Sequence, residues 1–173
     1  MVSTTNLLRA ALLTPPARGS RHVEGQNLAD VAKLVRGDIA NAIRDGLLPA
    51  GLKASVRISR YSMGQSLDVR VTACPGVVVL STRRVRFDVE TKGRVFNPRP
   101  RLSTEGSKVL KTIESIVEAY NEVVDRGAFC QPLVSFYSHV DFDSAIEAAE
   151  RAEIVAALDA TSGLGAPALR SAS

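Results

Sequence analysis

Between Lys53 and Ala73 the chain alternates twice. Ala54, Val56 and Ile58 take turns with Ser55, Arg57 and Ser59; beyond the polar stretch Ser62-Met63-Gly64-Gln65, Leu67, Val69, Val71 and Ala73 take turns with Asp68, Arg70 and Thr72. A period of two puts one set on each side of a strand, so these are the arms of a β-hairpin with one apolar and one wet face. The turn is expected over the four polar residues, with Gly64 supplying a positive φ. Pairing Ile58 with Val69 would set Arg57 opposite or diagonal to Arg70. Like charges facing each other across a ladder cost stability unless an anion lies between them, so the wet face is a candidate binding surface.

The flanking segments read mostly as helices. Leu28, Val31, Val35, Ile39, Ala42 and Ile43 form one stripe at helical spacing, opened by Asn27 and closed by Gly46 and Pro49. Gly37 sits in its middle at a cost of about 1 kcal/mol relative to Ala, which implies a close neighbour. A second stripe runs through Val109, Leu110, Ile113, Ile116, Val117, Tyr120, Val123 and Val124, capped by Ser103 or Thr104 and stopped by Gly127. Leu133 to Phe142 reads as a strand with Val134, Phe136, Val140 and Phe142 on one side and Ser135, Tyr137, His139 and Asp141 on the other. A last helix opens on the capping box Ser144 and Glu147 and continues through Ile146, Ala149, Ile154 and Leu158.

Between hairpin and second helix, Val85, Phe87 and Val89 alternate with Arg84, Arg86, Asp88 and Glu90, which favours a strand, with a short helix capped by Ser81 as the alternative. Residues 1–26 carry Pro15-Pro16, Gly19 and Gly25 without periodicity and are expected to be a mobile arm; residues 161–173 are expected to be a frayed tail. One domain over 27–160 remains, in the order α-β-β-(β?)-α-β-α. Such a chain predicts an α+β fold in which amphipathic helices cover one face of a small, mainly antiparallel sheet, an open-faced sandwich. The other face is then either solvated or covered by the last helix.

Composition bounds the function classes. With no Trp and only five Phe and three Tyr, the core must be aliphatic. No run approaches the ~18 apolar residues of a membrane span, and no export signal is recognisable, so a cytoplasmic protein without membrane contact is expected. Cys74 and Cys130 lie far apart with no partner at metal-ligand spacing, so no metal or cofactor is expected. Charge is uneven: residues 53–101 hold 11 basic and 3 acidic side chains, and residues 102–173 hold 5 basic and 11 acidic. That asymmetry marks an anionic partner for the middle, or an acidic last third folded back upon it.

The basic set that suits phosphate contact is Arg57, Arg60, Arg70, Arg83, Arg84 and Arg86, with Tyr61 and Tyr137 placed to stack on a base. The competing explanation is a solvated face whose Arg stems cover apolar surface. Cys130, His139 and Asp141, or Cys74 with His139, contain the residue types of a thiol site but no local sequence that activates one. Gly106-Ser107-Lys108 lacks the preceding glycine of a phosphate loop. Glu114, Glu118 and Glu122 make a charged helix face without the burial that a catalytic carboxylate needs. No catalytic activity is therefore expected.

The run SVRISRYSMGQSL over Ser55 to Leu67 follows the pattern S-V-R-x-S-[RK]-[YF]-S-x-G-x-S-[IL], and Tyr120-Asn121 and Phe136-Tyr137 recur later. Over about residues 28–142 the chain resembles the large polyvalent protein-associated domains and their free-standing relatives in actinobacteria and their phages. It departs from them at Met63 and in the Thr-Ala-Cys-Pro-Gly turn with the Arg-rich stretch that follows. The resemblance implies a mobile-element protein acting inside a recipient cell. Two functions follow as expectations: a non-enzymatic module contacting nucleic acid or another polyanion through the basic hairpin, or an inhibitor of a host defence protein acting through its acidic helices.

Overall fold

The computed structural model describes residues 17–91, 101–124 and 133–163. Its elements are β1 (Ala17–Arg18), α1 (Leu28–Arg44), β2 (Lys53–Tyr61), β3 (Gly64–Ala73), α2 (Thr82–Thr91), α3 (Thr104–Glu118), β4 (Glu122–Val124), β5 (Leu133–Val134), β6 (Tyr137–Phe142) and α4 (Ser144–Gly163). The main sheet has the order β2-β3-β6, with β3 antiparallel to β2 and parallel to β6; a smaller antiparallel sheet has the order β1-β4-β5. Helices α1 and α3 pack on one face of the main sheet, while α4 packs along α2. The architecture is a small α+β fold.

Helix α1 begins where Asn27 accepts a hydrogen bond from the Ala29 amide. It ends in a Schellman turn: Gly46 at φ 75° lets the Leu47 amide reach the Ala42 carbonyl at 2.9 Å and the Gly46 amide reach that of Ile43 at 3.2 Å. Leu28, Val31, Ala32, Val35, Ile39 and Ala42 are buried by α1 against Val56, Val69 and Val71 of the sheet. Helix α3 starts on Ser103, whose hydroxyl accepts from the Gly106 amide at 2.9 Å and donates to the Val78 carbonyl. Gly106 is there for space, since a Cβ would lie 2.6 Å from the Val79 carbonyl oxygen.

Several sequence expectations are corrected. The stretch at 82–91 is a helix and not a strand: Val85 and Val89 are also four apart, Ser81 caps the start through the Arg84 amide, and Arg84 and Asp88 close an i,i+4 ion pair at 3.0 Å. Helix α3 stops at Glu118, well before Gly127. Asn121, buried in the following turn, accepts from the Glu122 and Phe136 amides through its side chain, so Val123 and Val124 continue as strand β4. The stretch expected as one strand over 133–142 is two, β5 and β6, broken at Ser135-Phe136. Gly127 lies outside the described residues.

In the hairpin, Ile58 pairs with Leu67 and not Val69, so Arg57 faces Asp68 with Arg70 on the diagonal. The connection is only Ser62-Met63. Gly64 belongs to β3 and is not among the positive-φ glycines; a Cβ there would stand 3.2 Å from the Tyr61 ring and 3.3 Å from the Tyr137 ring. Gly37 has nothing within 4 Å of its would-be Cβ, so the close neighbour expected of it is absent among the described residues.

Residues 17–22, expected in a mobile arm, are anchored. The β1 pairing to β4, the Gly19 amide on the Asn121 carbonyl at 2.8 Å and an Arg18–Glu122 ion pair at 2.7 Å hold them. At the other end α4 continues to Gly163, into the stretch expected to fray.

Candidate nucleic-acid interface

Alternation and register together decide what the outer face of the main sheet carries. Three cross-strand rows lie on it: Ser55, Arg70 and Asp141; Arg57, Asp68 and His139; Ser59, Ser66 and Tyr137. The intervening rows, such as Val56, Val69 and Val140, face the helices and are buried. Arg57, Arg70, His139, Asp141 and Tyr137 are all exposed, because α4 goes to α2 instead of lying over them. Among the described residues no element therefore covers the outer face, as one of the two sequence alternatives required.

The side chains of Arg57 and Arg70 make no hydrogen bond or ion pair with any described residue. Asp68, directly across from Arg57, accepts instead from the hydroxyls of Ser59 at 3.1 Å and Ser66 at 3.2 Å. Asp141 is approached by Arg101 at 3.8 Å, and Arg101 forms a closer ion pair with Glu147 at 3.1 Å. The carboxylates on this face are thus turned to hydroxyls or to a cation from elsewhere, and the two hairpin guanidinium groups are left without a partner among the described residues.

The remaining arginines do not join this pair. Arg60 points to the opposite side of β2, where it donates to Asn27 at the start of α1 at 3.2 Å. Arg83 and Arg86 are exposed on α2, and Arg84 is held by Asp88, so the structure places these three on a helix outside the sheet. Six basic residues read as one set divide into three locations.

Tyr61 and Tyr137, on different strands, do come together. Their ring centroids are 6.4 Å apart with planes at 30°, and they are 49% and 43% exposed. Beside them Arg60, Met63, Gln65 and Val134 line a cleft of about 430 Å³, with Met63 at the turn 90% exposed. Gly64 permits the pair, for any side chain there would press on both rings.

Several carboxylates of the acidic last third are committed inside the fold. Glu150 accepts from the amides of Val79 and Leu80 at 2.9 to 3.1 Å, Glu118 from Ser138 at 2.5 Å, and Glu122 from Arg18. Sequence reasoning also missed a polar junction between the chain start and the two core helices. Tyr120 donates to Asp38 at 2.6 Å, and Arg21 bonds to Asp38 and lies 6.0 Å over the Tyr120 ring. The hydrogen bonds to Tyr120 and Asp38 raise the Arg21 pKa, and burial pushes the Tyr120 hydroxyl up, with the Asp38 bond adding to it. The only hint was Asp38, a charge next to the buried Ile39. Arg21 and Asp38 border a groove of about 1110 Å³ between α1 and α3, with Lys108 and Lys111 on its far wall.

The thiol arrangements fare differently. Burial, with Glu150 adding, pushes the Cys74 thiol up, away from the thiolate a nucleophile needs. The register puts His139 beside Asp68, six residues along the strand from Cys74, which is about 20 Å at strand spacing. Cys130 lies outside the described residues.

Among the described residues no helix is long and apolar enough to cross a membrane. No protein-family model, no curated protein and no solved structure matches this chain.

Proposed function

We propose that the chain is a non-enzymatic nucleic-acid-binding module that takes phosphates on the outer face of the β2-β3-β6 sheet. One observation carries this: Arg57 and Arg70 stand diagonally on the outer face with no carboxylate partner among the described residues. Each guanidinium keeps its full fork of donors, a geometry that matches phosphate oxygens. Asp68 and Asp141 lie cross-strand from the two arginines on the same face and offset part of their mutual repulsion, so the reading rests on the free guanidinium donors and not on charge excess. The engagement of Glu118, Glu122, Glu147 and Glu150 within the fold favours the sheet face over the acidic helices as the contact surface. An origin in a phage or other mobile element rests on the resemblance of residues 28–142.

The test is a titration of the full chain with labelled oligonucleotides across a salt series. Affinity is expected to fall linearly in log[salt], with a slope near −0.9 per phosphate on duplex and about −0.7 on single strands. Absence of binding to any nucleic acid at low salt overturns the proposal and returns the acidic-helix inhibitor as the better account.

A further inference from the structure

Resting on that function, we infer that the face is built for unpaired strands: the Tyr61–Tyr137 pair receives a base while Arg57 and Arg70 hold phosphates further along the strand. A duplex presents phosphates and groove edges but no free base face, so an exposed aromatic pair adds nothing to duplex binding. A single strand offers a π-face at every nucleotide. The tyrosines are half exposed beside a 430 Å³ cleft, where an unsupported apolar pair costs surface that a stacked base would cover.

Spacing supports the same ligand. Along the strands the Arg57 row lies two residues from the Tyr137 row and four from Tyr61, and the Arg70 row two further. With Arg57 two strands across from Tyr137 and Arg70 one, Tyr137 stands about 12–14 Å from the two arginines, which are about 8 Å from each other. The Arg57–Arg70 separation is close to that of successive phosphates in an extended strand and Tyr137 lies about two such steps away, so a base on the tyrosines leaves the phosphates two and three nucleotides along near the two arginines. Base faces and phosphates are common to DNA and RNA, and the face therefore takes single strands of either.

The measurement is equilibrium binding of the full chain to a labelled dT15 strand, an rU15 strand and a 15-base-pair duplex at one low salt concentration. Both single strands are expected to bind more tightly than the duplex. Tyr61→Ala and Tyr137→Ala should each lower single-strand affinity about tenfold, and neither should change duplex binding. Tyr61→Phe should keep single-strand affinity, and an unchanged melting temperature shows that each variant is folded. Equal binding of strand and duplex, or an alanine variant that binds dT15 as the parent does, overturns the inference while leaving the phosphate-binding face intact. Absence of binding to strand and duplex alike would instead overturn both.

Discussion

Arg57 and Asp68 are direct cross-strand partners that do not form an ion pair. Asp68 spends its carboxylate on Ser59 and Ser66, and Arg57 extends to solvent. An acidic group that only lowers the potential of the face should weaken a polyanion's grip. Asp68→Asn, which keeps an oxygen for the two hydroxyls, is expected to tighten oligonucleotide binding about two- to fivefold at low salt, with the gain fading as salt is raised. Unchanged affinity at low salt would show that this face is not where the strand lies.

Two glycines in core helices should respond with opposite sign to the same change. Gly37 is exposed within α1 with open space around it, so Gly37→Ala is expected to stabilise by about 1 kcal/mol, raising the melting temperature by about 2–4 °C. At Gly106 the new Cβ would meet the Val79 carbonyl at 2.6 Å, and Gly106→Ala is expected to cost about 1–3 kcal/mol. Thermal unfolding of both variants beside the parent decides it.

The junction at Tyr120 sets an alkaline limit. Its folded pKa is raised above the ordinary 10.0, mainly by burial. The unfolded chain therefore gives up this proton first, and the stability it contributes is full below about pH 10 and fades as pH rises through the folded value. Cys74, also raised, acts with the same sign from about its ordinary 9.0 upward. Denaturant unfolding is expected to show stability declining from about pH 9, with Tyr120→Phe flattening the later part of the decline. The same variant gives up the 2.6 Å bond to Asp38, at a cost of about 1 kcal/mol near neutral pH.

The anchoring of the chain start is testable by weakening the side chains that hold it. Gly19 packs so that a Cβ would fall 2.3 Å from the Glu118 carbonyl, and Arg18 and His22 both face Glu122. Glu122→Gln weakens both attachments at once, and hydrogen exchange at the Gly19 and Arg21 amides is expected to speed up while that at α1 does not. Equal exchange would mean that β1 is held by its backbone pairing alone.

Long amphipathic patterns were legible because a single period dominates them. The α1 stripe, the hairpin faces and the inward placement of Val140 and Phe142 stand as read, and with them the open-faced α+β architecture, whereas the alternation from Val134 through Phe136 is interrupted by the break between β5 and β6. At 82–91 the pattern was too short to separate periods, since Val85 and Val89 satisfy both. At Tyr120-Asn121 a buried asparagine side chain ends the helix, although the apolar spacing continues into Val123 and Val124. Within the candidate site, the outward placement of Arg57, Arg70, Tyr137 and His139 followed from alternation alone. The hairpin register needed the two-residue turn, which Gly64 had disguised: the glycine serves two tyrosine rings instead of a bend. Interactions between distant segments, such as Arg21 with Asp38 or Glu150 with the Val79 amide, leave no local trace in the chain.

The central claim is that two guanidinium groups without a partner among the described residues, exposed on the outer sheet face, bind phosphates. Its most direct test is the salt dependence of dT15 binding by the parent and by Arg57→Ala combined with Arg70→Ala. The double variant is expected to fold as the parent does. Each arginine that no longer neutralises a single-strand phosphate should lower the magnitude of the slope by about 0.7, so the pair together should lower it by about 1.4. A double variant that matches the parent in both slope and affinity would contradict the claim.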